Sequence, residues 1–76
     1  MPRKNHELHQ RFGQVIRTRR KAAGMSQEEL ATGAGISSSF VSQIENGLRG
    51  PTLNTIAGFA EALGVKIADL IEEAGE

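Results

Sequence analysis

The side chains best equipped for chemistry in this 76-residue chain crowd into one stretch: Ser37, Ser38, Ser39, Ser42, Gln43, Asn46 and Arg49. Hydroxyls and amides at this density make hydrogen bonds rather than break covalent ones. Gln and Asn can pair with adenine N6 and N7 in the DNA major groove. Other groupings are chemically poorer. His6 and His9 stand three apart, but no third or fourth metal ligand accompanies them, and an exposed helix start accounts for both. Glu28–Glu29 and Glu72–Glu73 are adjacent in sequence, so on a helix they diverge and cannot face each other as an acid/base pair. No glycine-rich phosphate loop or nucleophile motif occurs. The chain has no cysteine, which excludes disulfides, cysteine zinc sites, iron–sulfur clusters and thiol catalysis. The expectation is therefore no enzyme and no cofactor.

Helical punctuation predicts the elements that hold the polar stretch. Leu8, Phe12, Val15 and Ile16 form a first apolar stripe that runs out at Gly24. Ser26-Gln27-Glu28-Glu29 reads as a capping box, with Met25 and Leu30 as its hydrophobic staple. Gly35 ends the second helix. Ile36 then precedes Ser37 as N-cap of a third helix, with Val41 at the staple position and Gly47 after Asn46. Pro51-Thr52 opens a fourth helix, whose buried side is expected to carry Leu53, Ile56, Phe59, Ala60 and Leu63, with Gly64 following. A fifth begins at about Lys66 and carries Ile67, Leu70 and Ile71; Lys66 offers no capping acceptor, so its start should fray. No strand signal is present. The expected fold is all-α, five short helices, with residues 1–5 a disordered arm and residues 6–74 one domain.

The second and third helices are joined by about four residues centred on Gly35, the tight joint of a helix-turn-helix. On a helical wheel Val41 and Ile44 face inward with Leu48 following, while Ser39, Ser42, Gln43 and Asn46 share the opposite arc and Ser38 its edge. That outer arc carries no charge, unlike an ordinary solvated face rich in Glu and Lys. Small polar side chains let a helix sit deep in the major groove. The net charge of zero hides an asymmetry: eight Lys and Arg stand against four Glu in residues 1–50, and one Lys against five acids in residues 51–76. A basic front suits a polyanion. No apolar run approaches the ~20 residues of a membrane span, and a cytoplasmic setting is expected.

Phe12-Gly13, Ile16-Arg17, Arg20 and Gly24-Met25-Ser26-Gln27-Glu28-Glu29-Leu30-Ala31 resemble the first two helices of the Xre family of phage-repressor-like (Cro/CI-type, lambda-repressor-like) helix-turn-helix domains. Gly35-Ile36-Ser37, Val41, Ile44-Glu45-Asn46-Gly47, Pro51-Thr52-Leu53, Ala60, Leu63-Gly64-Val65 and Leu70 continue the likeness, which covers residues 12–71. Arg19 departs from it, standing where the family usually places an apolar residue; its stem can cover core while its head reaches solvent.

The resemblance implies a sequence-specific DNA-binding transcriptional regulator that binds a palindromic operator as a homodimer, in a bacterial or phage nucleoid setting. The size is similar to that of phage repressors and restriction–modification controllers. In such domains the residue matching Gln27 lies on a phosphate or near the third helix, and those matching Ser38, Ser39, Ser42 and Gln43 read bases or adjoining phosphates. Ser37 and Asn46 bound that reading face. Arg49 and Arg17 are phosphate candidates, and Phe40 either touches a thymine methyl or packs beside Ile44. Arg20 is expected to pair with Glu45, because a lone carboxylate near the inner arc would be costly. Leu70 is assigned to the core, and Ile67 or Ile71 to a symmetric dimer patch rimmed by Asp69, Glu72, Glu73 and Glu76. Two rival roles use the same fold: an antitoxin masking a cognate toxin, or a protein-docking adaptor. Beyond double-stranded DNA and a second copy, RNA polymerase or that toxin is the partner these roles imply.

Overall fold

The computed structural model describes residues 2–75, with side chains from residue 6 onward. Five helices follow one another: α1 Pro2–Ala22, α2 Gln27–Ala34, α3 Ser38–Glu45, α4 Leu53–Leu63 and α5 Ile67–Gly75. There is no strand among the described residues. The backbone of α1 continues back to Pro2, through most of the stretch expected to be a disordered arm; Met1 and Glu76 lie outside the described residues. No described helix is long and apolar enough to cross a membrane.

The short loops follow from how the helices stop. After α1, α2, α3 and α4 the chain enters a glycine at positive φ, and the amide of the residue after that glycine folds back to a carbonyl of the helix's last turn. Gly35 and Gly47, at +73° and +74°, bracket α3 in this way. A side chain with a Cβ would be strained at either. In this Schellman arrangement the residue after the glycine normally meets an apolar partner one turn back. Met25, Ile36 and Val65 occupy that position at three ends, and all three pack against the core. Leu48 occupies it after α3, and its amide bonds to the Gln43 carbonyl. The partner there is polar, so Leu48 stays 71% exposed, contrary to its expected place on the inner side.

Helix starts match their sequence signals. Ser26 Oγ accepts from the Glu29 amide while Glu29 Oε1 accepts from the Ser26 amide, a complete capping box. Ser37 caps α3 through the Phe40 amide, and Thr52 caps α4 through the Thr55 amide. Leu53, expected to be buried, is 82% exposed. As the first residue of α4 its Cβ tilts back past the helix end, away from the side that buries Ile56 and Phe59. The start of α5 is not left bare: the Asp69 carboxylate accepts from the Lys66 amide, supplying from inside the helix a partner that Lys66 cannot offer.

The core is built from Phe12, Ile16, Leu30, Val41, Ile44, Phe59 and Leu70, all buried, with the Phe12 and Phe59 rings tilted at 6.3 Å. α2 packs on α3 and α4, and α1 on α3 and α5. Leu8, at the head of the α1 stripe, is 45% exposed. Gly13 lets α1 and α3 close up, because a Cβ there would sit 2.2 Å from the Ile44 carbonyl oxygen. Arg19, the apolar position filled by a cation, spans to α5: its Nε donates to Glu73 Oε1 at 3.2 Å and its Nη2 to Oε2.

Candidate nucleic-acid interface

α2 and α3 are separated only by residues 35–37, and the inner side of α3 is anchored by Val41 and Ile44, neither with exposed surface. That anchorage leaves the opposite side outward. Ser39, Gln43 and Asn46 are exposed, with Ser38 and Ser42 half-buried at the margins. The Asn46 amide donates weakly to Ser42 Oγ at 3.5 Å, so the two form one polar ledge at the helix end. Ser37 is exposed, but its hydroxyl oxygen already accepts from the Phe40 amide at 3.1 Å. It builds the start of α3 first and has only its hydroxyl proton to offer a ligand.

Cations flank this ledge on two sides. Arg49, exposed in the α3–α4 loop, lies with its guanidinium carbon 5.6 Å from the centre of the Phe40 ring. Phe40 is half-buried and packed against the core, as its packing alternative expects. The ring serves as a platform that keeps Arg49 beside α3. Arg17, exposed on α1, shares an open depression with Gln10, Arg11, Gln14 and Asn46, so the α1 cations adjoin the end of α3. Glu7 and Glu73 border the same depression and temper its charge.

Behind the ledge Arg20 and Glu45 form the expected ion pair, in a denser arrangement than sequence alone conveys. Arg20 Nε donates to Glu45 Oε2 at 2.7 Å and Nη2 to Oε1 at 3.2 Å, while Nη1 donates to the Met25 carbonyl at 2.8 Å. Gln27 Nε2 donates to the same Glu45 Oε1 at 3.0 Å. The contact puts Gln27 near the third helix, one of its two expected positions, and uses only one of its two amide N–H groups. The Phe40 platform and the Glu45–Gln27 bond are the two features that sequence reasoning missed. Only the i, i+9 spacing of Phe40 and Arg49 across a glycine turn hinted at the first, and nothing local signalled the second.

On α5 the division between core and surface follows the expected assignment: Leu70 is fully buried, while Ile67 and Ile71 are 46% and 48% exposed on one face. Glu73 does not simply rim that patch as expected, because Arg19 of the same chain engages it. This hydrogen bond and charge hold the Glu73 carboxyl below the usual carboxylate range and raise the Arg19 guanidinium. Among the described residues no group of three or more His, Asp or Glu is placed to hold a metal ion.

Known proteins share this arrangement. The helix-turn-helix family model matches residues 16–70. The control protein C.BamHI of Bacillus amyloliquefaciens is 39% identical over 62 residues, which are 80% of this chain and 76% of that protein. The HTH-type transcriptional repressor RghR of Bacillus subtilis is 40% identical over 65 residues, 84% of this chain and 48% of that one. A Mycobacterium tuberculosis HTH-type transcriptional regulator is 38% identical over 63 residues, 83% of this chain. The chain spans about half the length of the last two relatives, 48% and 45% respectively. Among solved structures, the restriction–modification controller C.AhdI of Aeromonas hydrophila superposes with a TM-score of 0.80 at 39% identity, covering 82% of this chain and 94% of that one. The clp gene regulator ClgR of Corynebacterium glutamicum gives 0.85 at 29% identity, covering 90% and 72%. With the tight α2–α3 joint and the uncharged outer side of α3, these matches place the chain in the helix-turn-helix family of the Xre (Cro/CI) type, a family of DNA-binding transcriptional regulators and not of enzymes.

Proposed function

We propose that the protein is a sequence-specific DNA-binding regulator that grips a palindromic operator as a homodimer, with α3 in the major groove. The observation that carries this reading is the exposed, uncharged ledge of Ser39, Gln43 and Asn46 with half-buried Ser38 and Ser42 at its margin. Short hydroxyls and amides there can approach base edges without a charge to desolvate, and Gln43 and Asn46 have the two-ended amide that adenine accepts. Arg49 on its Phe40 platform, Arg17 and the amide of Gln27 serve as positioning contacts to phosphate, which carry affinity but no sequence information.

One domain of this size spans too few base pairs for operator selectivity, and pairing two of them is the economical remedy. The exposed Ile67 and Ile71 on α5 are the proposed self-complementary patch. Such pairing would set two α3 helices about 34 Å apart, one helical turn of DNA, on one side of the dimer. The roles of two relatives, a control protein and a repressor, support regulation of transcription on the nucleoid in the cytoplasm. A contact with RNA polymerase would accompany that role. Selection of bound duplexes from random DNA is the test. Enrichment of a two-fold symmetric site, bound by two copies per duplex, is expected. Enrichment of nothing, with capture of one stoichiometric protein from the host instead, would move the reading to an antitoxin or docking adaptor.

A further inference from the structure

Gln27 lies at the first turn of α2 and is half-buried, yet its side chain is not free. One amide N–H is held by Glu45 Oε1 at 3.0 Å, and the Glu45 side chain is only 1% exposed. A carboxylate accepts hydrogen bonds and donates none, so it dictates which end of the Gln27 amide faces inward. The nitrogen must face Glu45, and one N–H and the carbonyl oxygen are left over. Of these, only the N–H can meet a phosphate, which is itself all acceptor. Arg20, the cation that shares Glu45 with Gln27, cannot take that role without leaving its site. Its Nε, Nη1 and Nη2 are each engaged, two of them on Glu45, and the residue is 9% exposed.

We propose that Glu45 is the positioning residue for Gln27: the buried carboxylate orients the amide before DNA arrives, so that its remaining N–H is presented to a backbone phosphate beside the start of α2. The proposal rests on the DNA-binding reading and deepens it. Glu45 itself touches no DNA. A glutamine has three side-chain torsions to fix, and fixing them in advance is worth up to about tenfold in affinity. The arrangement also explains why Gln27 reaches toward a carboxylate that Arg20 already neutralises. Stability of the ion pair does not need the third donor, whereas a floppy Gln27 would lose its aim.

The test is a cycle on a duplex recovered by selection. Gln27→Met, which keeps the length and removes both amide groups, should weaken binding of the otherwise wild-type protein by about tenfold. In an Arg20→Met/Glu45→Leu background, where a buried pair gives way to apolar groups that usually still fold, the same change should cost about twofold or less. Arg20→Met/Glu45→Gln should restore most of the sensitivity, because Gln at position 45 can still accept from Gln27. Equal cost of Gln27→Met in all backgrounds, with wild-type binding intact, overturns the positioning role and leaves the DNA reading standing. Absence of any bound duplex overturns both. A measurement on the wild type covers the case in which the double variants fail to fold. The free protein's Gln27 side-chain amide should be ordered on the ps–ns timescale, unlike the exposed Gln10 and Gln14 amides of α1, and equal mobility of the three would refute the proposal.

Discussion

Arg20→Met is the perturbation that probes the domain most deeply. Arg20 is 9% exposed and its guanidinium supplies three hydrogen bonds, two to Glu45 and one to the Met25 carbonyl. Methionine fills similar space but donates nothing, so Glu45 would remain buried as a charge with Gln27 as its sole side-chain partner. Removing one member of a buried pair costs about 3–5 kcal/mol, mostly as the desolvation of the charge left behind. A domain of this length has roughly 4–11 kcal/mol in all. The single change therefore removes about a quarter or more of the stability, a fall in Tm of roughly 12–40 °C at this size. Far-ultraviolet circular dichroism against temperature, with urea titration for the free energy, measures it. Arg20→Met/Glu45→Leu should be less destabilised than Arg20→Met alone, because the orphaned charge is gone. A single variant within about 1 kcal/mol of wild type, or a double variant that loses the full sum of the two singles, would refute this account of the pair.

Four other outcomes are expected. Arg49→Gln should lower the slope of log affinity against log salt by about one unit per monomer while leaving the selected sequence unchanged, whereas Gln43→Ala should cost roughly 1–3 kcal/mol on the native site and relax one base position; matching behaviour of the two would collapse the division between positioning and reading. Gly13→Ala should cost about 1–3 kcal/mol in urea unfolding, since the new Cβ would press on the Ile44 and Glu45 carbonyl oxygens and part α1 from α3. The depressed Glu73 carboxyl predicts that the stability difference between wild type and Glu73→Gln is present above the ordinary value of 4.5, disappears as pH falls through the lower folded value, and shrinks in high salt. Ile67→Asp/Ile71→Asp should sediment as a folded monomer, and a folded dimer would place the interface elsewhere.

Most of the fold was legible because its signals are local. A serine followed three residues later by a glutamate, or a glycine just past an apolar stripe, acts through bonds within one turn, and α2, α3 and α4 begin and end where such signals lie. The misplaced residues are those whose environment depends on what stands opposite. Leu48 continues the phase of α3 on a helical wheel, but Gly47 breaks that phase and Gln43 gives it no apolar partner. Leu53 has the periodicity of α4 without a neighbour over the helix end. The start of α5 shows the complementary case, where the missing cap is made good by Asp69 three residues further on, half of a capping box with its serine absent.

The candidate site divides along the same line. The outer ledge of α3 is a matter of residue types on one helix and could be read directly. Its support could not, because Phe40 beneath Arg49 and Glu45 behind Gln27 join separate elements. On the proposed reading their common feature is that the phosphate contacts fall to groups braced by neighbouring side chains, while the ledge keeps small side chains with freedom to fit base edges. Charge is thus confined to the margin and to the buried Arg20–Glu45 pair, which is neutral as a unit. An uncharged reading surface of the kind proposed would gain little from phosphate attraction alone, which would leave discrimination between sequences to hydrogen bonding, the contribution that base edges can vary.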